Sequence, residues 1–278
     1  MNRPKGLLGI DIDGTLINDH GHITEEVLSA LARAAGEGWE IVPASGRSWL
    51  GAKPVVEQLS FVRYAVVSNG ACILDVRSES LLHLRTLAPG LADRVIRAAY
   101  DQNVIPAVYS ADILRQKIFY SERNCAEGDF FRYLIDDIRV EKVADVLAHT
   151  GNVLQVGAVS GREAIFRMRD ALDDLDAAVV AMPFVDDTWL MQVVDREARK
   201  HLALRRVAAM LDIPAGRRVA VGDNFNDAGM IADADIGVAM GNAPEEIKAL
   251  AAVVVASNND HGLAEVVDTV ILSGAFFS

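Results

Sequence analysis

Cysteine is scarce in this 278-residue sequence, and its two copies, Cys72 and Cys125, lie far apart. Two distant thiols are too few for a disulfide framework or for a cysteine-rich zinc site. Long apolar runs are also missing, since no stretch approaches the roughly 18 residues that a membrane-spanning helix needs. The first residues reach charged positions before a signal-peptide core could form. We therefore expect a cytoplasmic protein with no membrane partner.

Positive charge is in deficit as well. The chain carries 27 lysines and arginines against 39 aspartates and glutamates, which gives a formal net charge of −12. Such a surface repels nucleic acids and anionic lipids, so we expect neither as the main partner. A phosphorylated small molecule could still bind, because one metal ion and a few cations reverse the potential locally. Low-complexity tracts are absent, and the 51% of apolar residues suffices for a packed core.

Both ends of the chain alternate short β-rich runs with helical patterns. This alternation is typical of a parallel sheet covered by helices, so we predict an α/β fold with a doubly wound, Rossmann-like core. The predicted core strands are Leu7–Ile12, Glu40–Ala44, Tyr64–Val67, Val219–Val221, Ile236–Ala239 and Val253–Ala256. Helices are predicted from Ser48 to Leu59 and from Lys200 to Leu211.

The middle of the chain contains a complete succession of strands and helices of its own. Because the core pattern resumes after it, this segment is predicted to be an insertion into one domain. We place the core at residues 1–83 and 188–278 and a large inserted α/β cap domain at residues 84–187.

The strongest local motif is the acidic pair Asp11 and Asp13, which directly follows an apolar strand. Open α/β sheets bind their ligands at the carboxyl ends of the strands, where this pair is expected. Two such close carboxylates repel each other unless a cation or a shared proton stabilises them. Gly14 allows a sharp turn and exposes N–H groups to an anion. The alternative interpretation is a turn that carries acidic residues but has no catalytic role.

A second acidic motif follows the strand Val219–Val221. Asp223 falls at the strand end and Asp227 four residues later, where a helix would begin. Carboxylates suit Mg²⁺, which prefers one or two of them together with phosphate oxygens and water. Helix capping would place acidic residues at the same positions, so this motif alone leaves both readings open.

Two further candidates concern phosphate. Ser45 and Gly46 follow a predicted strand, and a hydroxyl with free backbone N–H groups at a helix start can hold a phosphate group. A simple helix cap is the alternative for Ser45. Lys200 opens a late helix, and a surface lysine is the default reading of a single lysine.

Taken together and in this order, the motifs resemble those of the haloacid dehalogenase-like phosphohydrolases, and the whole chain resembles their Cof-type branch. The segments that carry the resemblance are Asp11–Leu16, Ser45–Arg47, Ser68–Ala71, Gly222–Asp227, Gly237–Ala243 and Ser257–Gly262. Two positions depart from the pattern of that branch. His261 replaces a more usual acidic residue, and His201 follows Lys200 where glycine is more usual.

The resemblance implies a role for each candidate residue. Asp11 is expected to be the nucleophile and a Mg²⁺ ligand, and Asp13 the general acid and base, which also binds the metal through its carbonyl group. Asp223 is expected to bind Mg²⁺ and Asp227 to support the metal shell. The phosphoryl group is expected to be held by Ser45, Gly46, Lys200 and Asn226.

The predicted function is a Mg²⁺-dependent phosphatase that hydrolyses a small phosphorylated metabolite through an aspartyl phosphate. The alternatives are a phosphohexomutase-type phosphotransferase and a catalytically silent phosphometabolite-binding protein. Sugar phosphates, phosphoglycolate-like acids, pyridoxal phosphate and flavin mononucleotide all stay open as substrates, and the oligomeric state stays open too. In the cap, the candidate substrate contacts are Arg115, Arg123, Arg132 and Arg162, for each of which a solvated surface role is the favoured reading.

Overall fold

The computed structural model of the chain describes residues 3–121, 139–184 and 187–277. Cys125, Arg123 and Arg132 lie outside the described residues, whereas Cys72 is buried and not in a disulfide. The chain divides into two compact units. The core unit comprises Met1–Leu84 and Arg199–Ser278, and the inserted unit comprises Arg85–Ala198. No helix among the described residues is long and apolar enough to span a membrane.

The described residues form both strands and helices in each unit. The strands are β1 (Gly6–Ile10), β2 (Trp39–Pro43), β3 (Tyr64–Val67), β4 (Cys72–Asp75), β5 (Ser80–Leu84), β6 (Pro106–Ser110), β7 (Ile118–Tyr120), β8 (Val140–Lys142), β9 (Val153–Gly161), β10 (Ala177–Pro183), β11 (Thr188–Asp195), β12 (Arg218–Gly222), β13 (Ile236–Ala239) and β14 (Val253–Val254). The α-helices are α1 (Glu25–Gly36), α2 (Trp49–Val56), α3 (Leu91–Asp101), α4 (Arg162–Asp170), α5 (Lys200–Met210), α6 (Ala228–Asp233), α7 (Glu245–Lys248) and α8 (Gly262–Val266).

The core unit is built on a parallel sheet in the order β14-β13-β12-β1-β2. All five residues of β1 are buried, as expected for a central strand that is covered on both faces. Helix α5 packs its apolar residues Ala203, Leu204 and Val207 into a cluster that includes Leu7 of β1 and Ala220 of β12. The predicted Rossmann-like α/β core is confirmed.

One predicted core strand has a different role. Tyr64–Val67 pairs antiparallel with β4, in a small three-stranded sheet of β3, β4 and β5. It meets the parallel sheet through a single bridge between Val66 and Ala44. The physical reason is the tight turn after Val67, which returns the chain directly alongside β3 instead of sending it through a helix.

The inserted unit contains a six-stranded sheet in the order β10-β11-β9-β6-β7-β8. Its strand pairs are antiparallel except for β7 and β8. Helices α3 and α4 contribute Val95, Ile96, Ile165 and Met168 to the apolar core of this unit.

The predicted boundary after residue 187 is wrong by one strand. Strand β11 pairs with β9 on one side and with β10 on the other, so Thr188–Asp195 belongs to the inserted unit. The core unit resumes at Arg199. The sequence reading ended the insertion at a polar turn, but a strand belongs to the sheet whose neighbours supply its hydrogen bonds.

Candidate active site

The carboxyl ends of β1, β2 and β12 lie side by side in the core unit. The amide of Asp11 donates to the carbonyl of Val221 at 3.0 Å, and the amide of Ala44 donates to the carbonyl of Ile10 at 2.7 Å. The three predicted strand-end motifs therefore begin at one edge of the sheet, which is where ligands bind in folds of this kind.

A buried cluster of three carboxylates and one ammonium forms at this edge. One oxygen from each of Asp11, Asp223 and Asp227 lies within 4.8 Å of the others. The Nζ of Lys200 lies 2.5 Å from Oδ1 of Asp11 and 2.7 Å from Oδ1 of Asp227. The exposed fraction of the Lys200 side chain is 2%, so these interactions are shielded from bulk water. His201, the departure from the family pattern, has not displaced Lys200 from the cluster.

The cluster raises the pKa values of Asp11, Asp223 and Lys200. Burial and the neighbouring Asp227 raise the pKa of Asp11 well above its ordinary value, although Lys200 opposes the shift. Burial, again aided by Asp227, raises the pKa of Asp223 to about 7. Burial also opposes the charge on Lys200, but Asp11 and Asp227 outweigh it and raise the pKa of this ammonium. Lys200 is thus held as a cation among carboxylates that are costly to ionise.

These residues fit a divalent cation. With every member charged, three carboxylates and one ammonium leave a net charge of −2, and the raised pKa values of Asp11 and Asp223 mean that these two carboxylates are costly to ionise. A divalent ion bound among the oxygens would neutralise this charge, and carboxylate oxygens are the ligands that hard divalent cations prefer.

Both oxygens of the Asp223 carboxylate are held by hydrogen bonds. Thr15 donates its hydroxyl to Oδ1 at 3.0 Å, and Asn242 donates its amide to Oδ2 at 3.3 Å and to the carbonyl of Gly14 at 2.9 Å. Gly14 has a φ of +75°, and a Cβ there would collide with the Asp223 carboxylate. Glycine is therefore required both by the turn and by the close approach.

Asp227 is oriented by the loop in which it lies. Its Oδ2 accepts hydrogen bonds from the amides of Asp223 and Asn224, both at 3.1 Å, which leaves Oδ1 for Lys200. Asn226 lies in the same one-turn helix, and its Oδ1 is buried without a hydrogen-bond partner among the described residues. This oxygen is an acceptor, whereas a phosphoryl oxygen needs a donor, which in Asn226 is Nδ2.

Asp13 makes a contact that sequence reasoning missed. Arg47 approaches it with Nε at 2.9 Å from Oδ2 and Nη2 at 2.5 Å from Oδ1, a bidentate pair. This hydrogen bonding is the main cause that raises the pKa of Arg47. The Asp13 side chain is 54% exposed, so the pair faces solvent, unlike the Lys200 cluster. A signal was present in the sequence, since Arg47 is the cation of the motif at Ser45–Arg47.

Ser45 and Gly46 offer hydrogen-bond donors. Ser45 is fully buried, and its Oγ accepts from the amide of Arg47 at 3.0 Å, which leaves the hydroxyl hydrogen free to donate. The amide of Gly46 makes no hydrogen bond within the described part of the chain.

The structure thus brings Asp11, Lys200, Asp223 and Asp227 into mutual contact and pairs Asp13 with Arg47. It places Ser45, Gly46 and Asn226 on the neighbouring strand-end segments, and within the described residues none of these side chains or amides is hydrogen-bonded to a side chain of the cluster. Of the candidate cap residues, Arg115 and Arg162 are exposed, and Arg162 stacks over the rings of Phe166 and Trp189.

The site thus combines a parallel Rossmann-like core, acidic residues that follow its strands, and a lysine at the start of α5. A family model for haloacid dehalogenase-like hydrolases matches residues 8–267, and the chain belongs to this family. The predicted family, with its Cof-type branch, and the predicted enzyme class, a phosphatase, are confirmed.

Two curated relatives from Bacillus subtilis carry phosphatase names. Phosphatase YwpJ is 28% identical over 93% of this chain and 97% of its own. The 5-amino-6-(5-phospho-D-ribitylamino)uracil phosphatase YitU is 26% identical over 95% of this chain and 97% of its own. A solved haloacid dehalogenase-like hydrolase of B. subtilis shares the fold with a TM-score of 0.81 at 24% identity, and covers 95% of this chain and 99% of its own.

Proposed function

We propose that this phosphatase hydrolyses a small phosphorylated metabolite in a Mg²⁺-dependent reaction, through an aspartyl phosphate on Asp11. The observation that carries the proposal is the buried cluster in which Lys200 contacts Asp11 and Asp227 while Asp223 completes the set of carboxylates. Carboxylate ligands, a buried cation and a candidate nucleophile in one place are the components that phosphoryl transfer needs.

Asp11 is the proposed nucleophile. Burial and Asp227 work against its ionised form, so the attacking carboxylate depends on Lys200 and on the divalent cation for its charge. In the first step a carboxylate oxygen of Asp11 forms a bond to phosphorus while the ester oxygen departs. In the second step water attacks the same phosphorus, which frees Asp11 and releases inorganic phosphate.

Asp11 and Asp223, with Asp227 in support, would hold Mg²⁺, which would supply positive charge to the phosphoryl oxygens. Lys200 has three N–H donors and uses two of them for Asp11 and Asp227, so the third is available to a phosphoryl oxygen. The Ser45 hydroxyl and the Gly46 amide are the other proposed donors to that group, together with the Asn226 amide.

Asp13 is the proposed general acid and base. It would protonate the departing alkoxide and then remove a proton from the attacking water. The bidentate pair with Arg47 holds both oxygens of the Asp13 side chain in place.

The proposed substrate class is a small phosphomonoester. One relative is named for a phosphorylated ribitylaminouracil, a molecule of this kind, and the acidic chain offers few cations for a polyanionic macromolecule. The inserted unit is proposed to be a cap that contributes to substrate specificity.

Hydrolysis of p-nitrophenyl phosphate with Mg²⁺ tests the proposal. Asp11→Asn should lower kcat by about 10⁴-fold or more, the scale seen when a nucleophile is removed. The matched control is Asp75→Asn, which changes a buried carboxylate of the same unit that pairs with Arg63 at 3.0 Å. It should keep kcat within about threefold, and a chelator should abolish turnover of the wild type.

The intermediate requires its own measurement. A ³²P-labelled substrate and an acid quench should leave label on the peptide that contains Asp11, and hydroxylamine should remove it. Label on another residue, or undiminished turnover by Asp11→Asn, would exclude the mechanism. Transfer of the label to an added sugar, faster than to water, would identify a phosphotransferase instead.

A further inference from the structure

The turn after β3 is strained and buried. We call Ser68, Asn69 and Gly70 the SNG loop; their φ angles are 51°, 56° and 100°, three left-handed residues in succession. A left-handed conformation is disfavoured for a residue that has a Cβ atom, less so for Asn than for Ser. Ser68 is also fully buried, and its hydroxyl has no hydrogen-bond partner among the described residues. The loop does not favour this conformation by itself, so its surroundings must impose it.

One side of the SNG loop is bonded to the turn at Ser45. The amide of Asn69 donates to the carbonyl of Ser45 at 3.0 Å, and the amide of Ser68 donates to the carbonyl of Arg47 at 2.7 Å. In a trans peptide the C=O and the N–H point to opposite sides. Because Asn69 holds the carbonyl of Ser45, the amide of Gly46 is directed away from the loop, where it remains free to bind a ligand.

The other side of the SNG loop lies against the start of α5. A Cβ on Gly70 would overlap the backbone of Arg199, which is the residue directly before Lys200. The φ of 100° independently excludes other residues at this position without strain. Gly70 therefore sets how closely the first turn of α5, with Lys200, approaches the loop.

We propose that the SNG loop is a positioning element that fixes the Gly46 amide and the Lys200 ammonium relative to each other. The inference rests on the proposed function, in which both groups bind the phosphoryl group. The loop touches neither ligand nor metal in this scheme. It acts through Ser45 on one side and Arg199 on the other, and its strain is the consequence of meeting both contacts at once.

The test is binding of inorganic phosphate by the full-length protein with Mg²⁺, measured by calorimetry. Gly70→Ala should displace the Arg199 backbone and weaken phosphate binding about tenfold or more, since small displacements of a positioned group have large effects. The matched control is Gly216→Ala in the same unit. Gly216 also has a positive φ, 75°, but a Cβ there meets nothing within 4 Å, so this variant carries the strain without the displacement.

A milder variant covers the case in which Gly70→Ala does not fold. Asn69→Ala keeps the amide donor but disfavours the left-handed conformation, and should weaken phosphate binding about threefold. For both variants KM for p-nitrophenyl phosphate should rise with the phosphate dissociation constant, whereas Gly216→Ala should change only the melting temperature.

The possible outcomes distinguish a failure of the positioning role from a failure of the proposed function. If Ser45→Ala and Lys200→Ala weaken phosphate binding but the folded SNG-loop variants do not, the positioning role is overturned and the proposed function stands. An equal loss of phosphate affinity in Gly216→Ala would also overturn the positioning role, because backbone strain at another position would then be enough to weaken binding. If Ser45→Ala and Lys200→Ala bind phosphate as the wild type does, the phosphate site and this inference both fail.

Discussion

The two units bury different kinds of polar residue. In the core unit the buried charged residues are Asp11, Asp75, Lys200 and Asp227. In the described part of the inserted unit the buried polar residues are all neutral, namely Gln116, Ser121, Gln155, Thr188 and Gln192. Their sheets differ as well. The core sheet is parallel and has the candidate site at the carboxyl ends of its strands, whereas the inserted sheet is mainly antiparallel.

The difference shows which unit contains buried charges that add little to the stability of the fold. A buried ion pair recovers little more than the desolvation of its partners, so apolar packing would serve stability equally well. The core unit keeps four buried charges nonetheless, and three of them belong to the candidate site. The inserted unit keeps none among its described residues. Four predictions test this comparison, from the largest expected effect to the smallest.

Removing the buried cation should have the largest effect. In the presence of a chelator, Lys200→Met leaves Asp11 and Asp227 buried without their partner and should lower the free energy of unfolding by about 3–5 kcal/mol. Lys117→Met in the inserted unit is the matched control, because its partner Glu141 lies at 2.8 Å but both side chains are about half exposed. Urea unfolding of both variants measures the difference. Comparable losses would mean that burial does not distinguish the two units.

The pH dependence of stability should also originate in the core unit. The folded pKa of Asp223 is raised from about 3.8 to about 7, so the folded state holds this proton more tightly than the unfolded state. Without metal, this carboxyl group therefore destabilises the protein progressively as the pH rises from about 4 to 7. At about 1.4 kcal/mol for each pKa unit, the full loss is about 4 kcal/mol.

The measurement is urea unfolding with a chelator at pH 5 and pH 8, for the wild type and for Asp223→Asn. The stability of the wild type relative to the variant should fall between the two pH values, and excess Mg²⁺ should remove the fall. If the stability of the wild type relative to Asp223→Asn instead rose with pH in the chelator, the sign would contradict this explanation.

Placing a charge in the inserted unit should have a smaller but clear cost. Gln155 is 1% exposed and its Oε1 has no hydrogen-bond partner in the described structure. Gln155→Glu should destabilise the protein by about 3 kcal/mol at pH 8, because the buried carboxylate resists ionisation, and by much less at pH 4.5. Gln155→Leu, the control, removes an unsatisfied polar group and should be neutral or slightly stabilising. If Gln155→Glu caused no loss of stability at pH 8, the contrast between the two units would be contradicted.

The smallest effect is expected at the surface of the inserted unit. Arg94 and Asp174 lie 2.7 Å apart, but their side chains are 49% and 74% exposed. Asp174→Asn should change the free energy of unfolding by less than about 0.5 kcal/mol, and high salt should abolish even that change. A thermal unfolding series at low and high ionic strength checks this. A loss above about 1 kcal/mol would show that geometry outweighs burial in these pairs.

The sequence predicted the elements around the site well because their signals are local. Apolar runs before Asp11, Ser45 and Asp223 marked the ends of three adjacent strands. Strand β11 was missed, and with it the boundary of the inserted unit. Its sequence is compatible with either unit, and only its hydrogen-bonded neighbours assign it.

By itself the sequence determined the family, the parallel core and which residues follow its strands, because strand periodicity and short motifs at strand ends are properties of neighbouring residues. Only the tertiary structure decided what those residues do to one another. Lys200 meets Asp11 across 189 positions of the chain, Arg47 meets Asp13, and Gly70 lies against Arg199. Burial raises the pKa of Asp223 through atoms contributed by many segments, and no local pattern of residues encodes that environment.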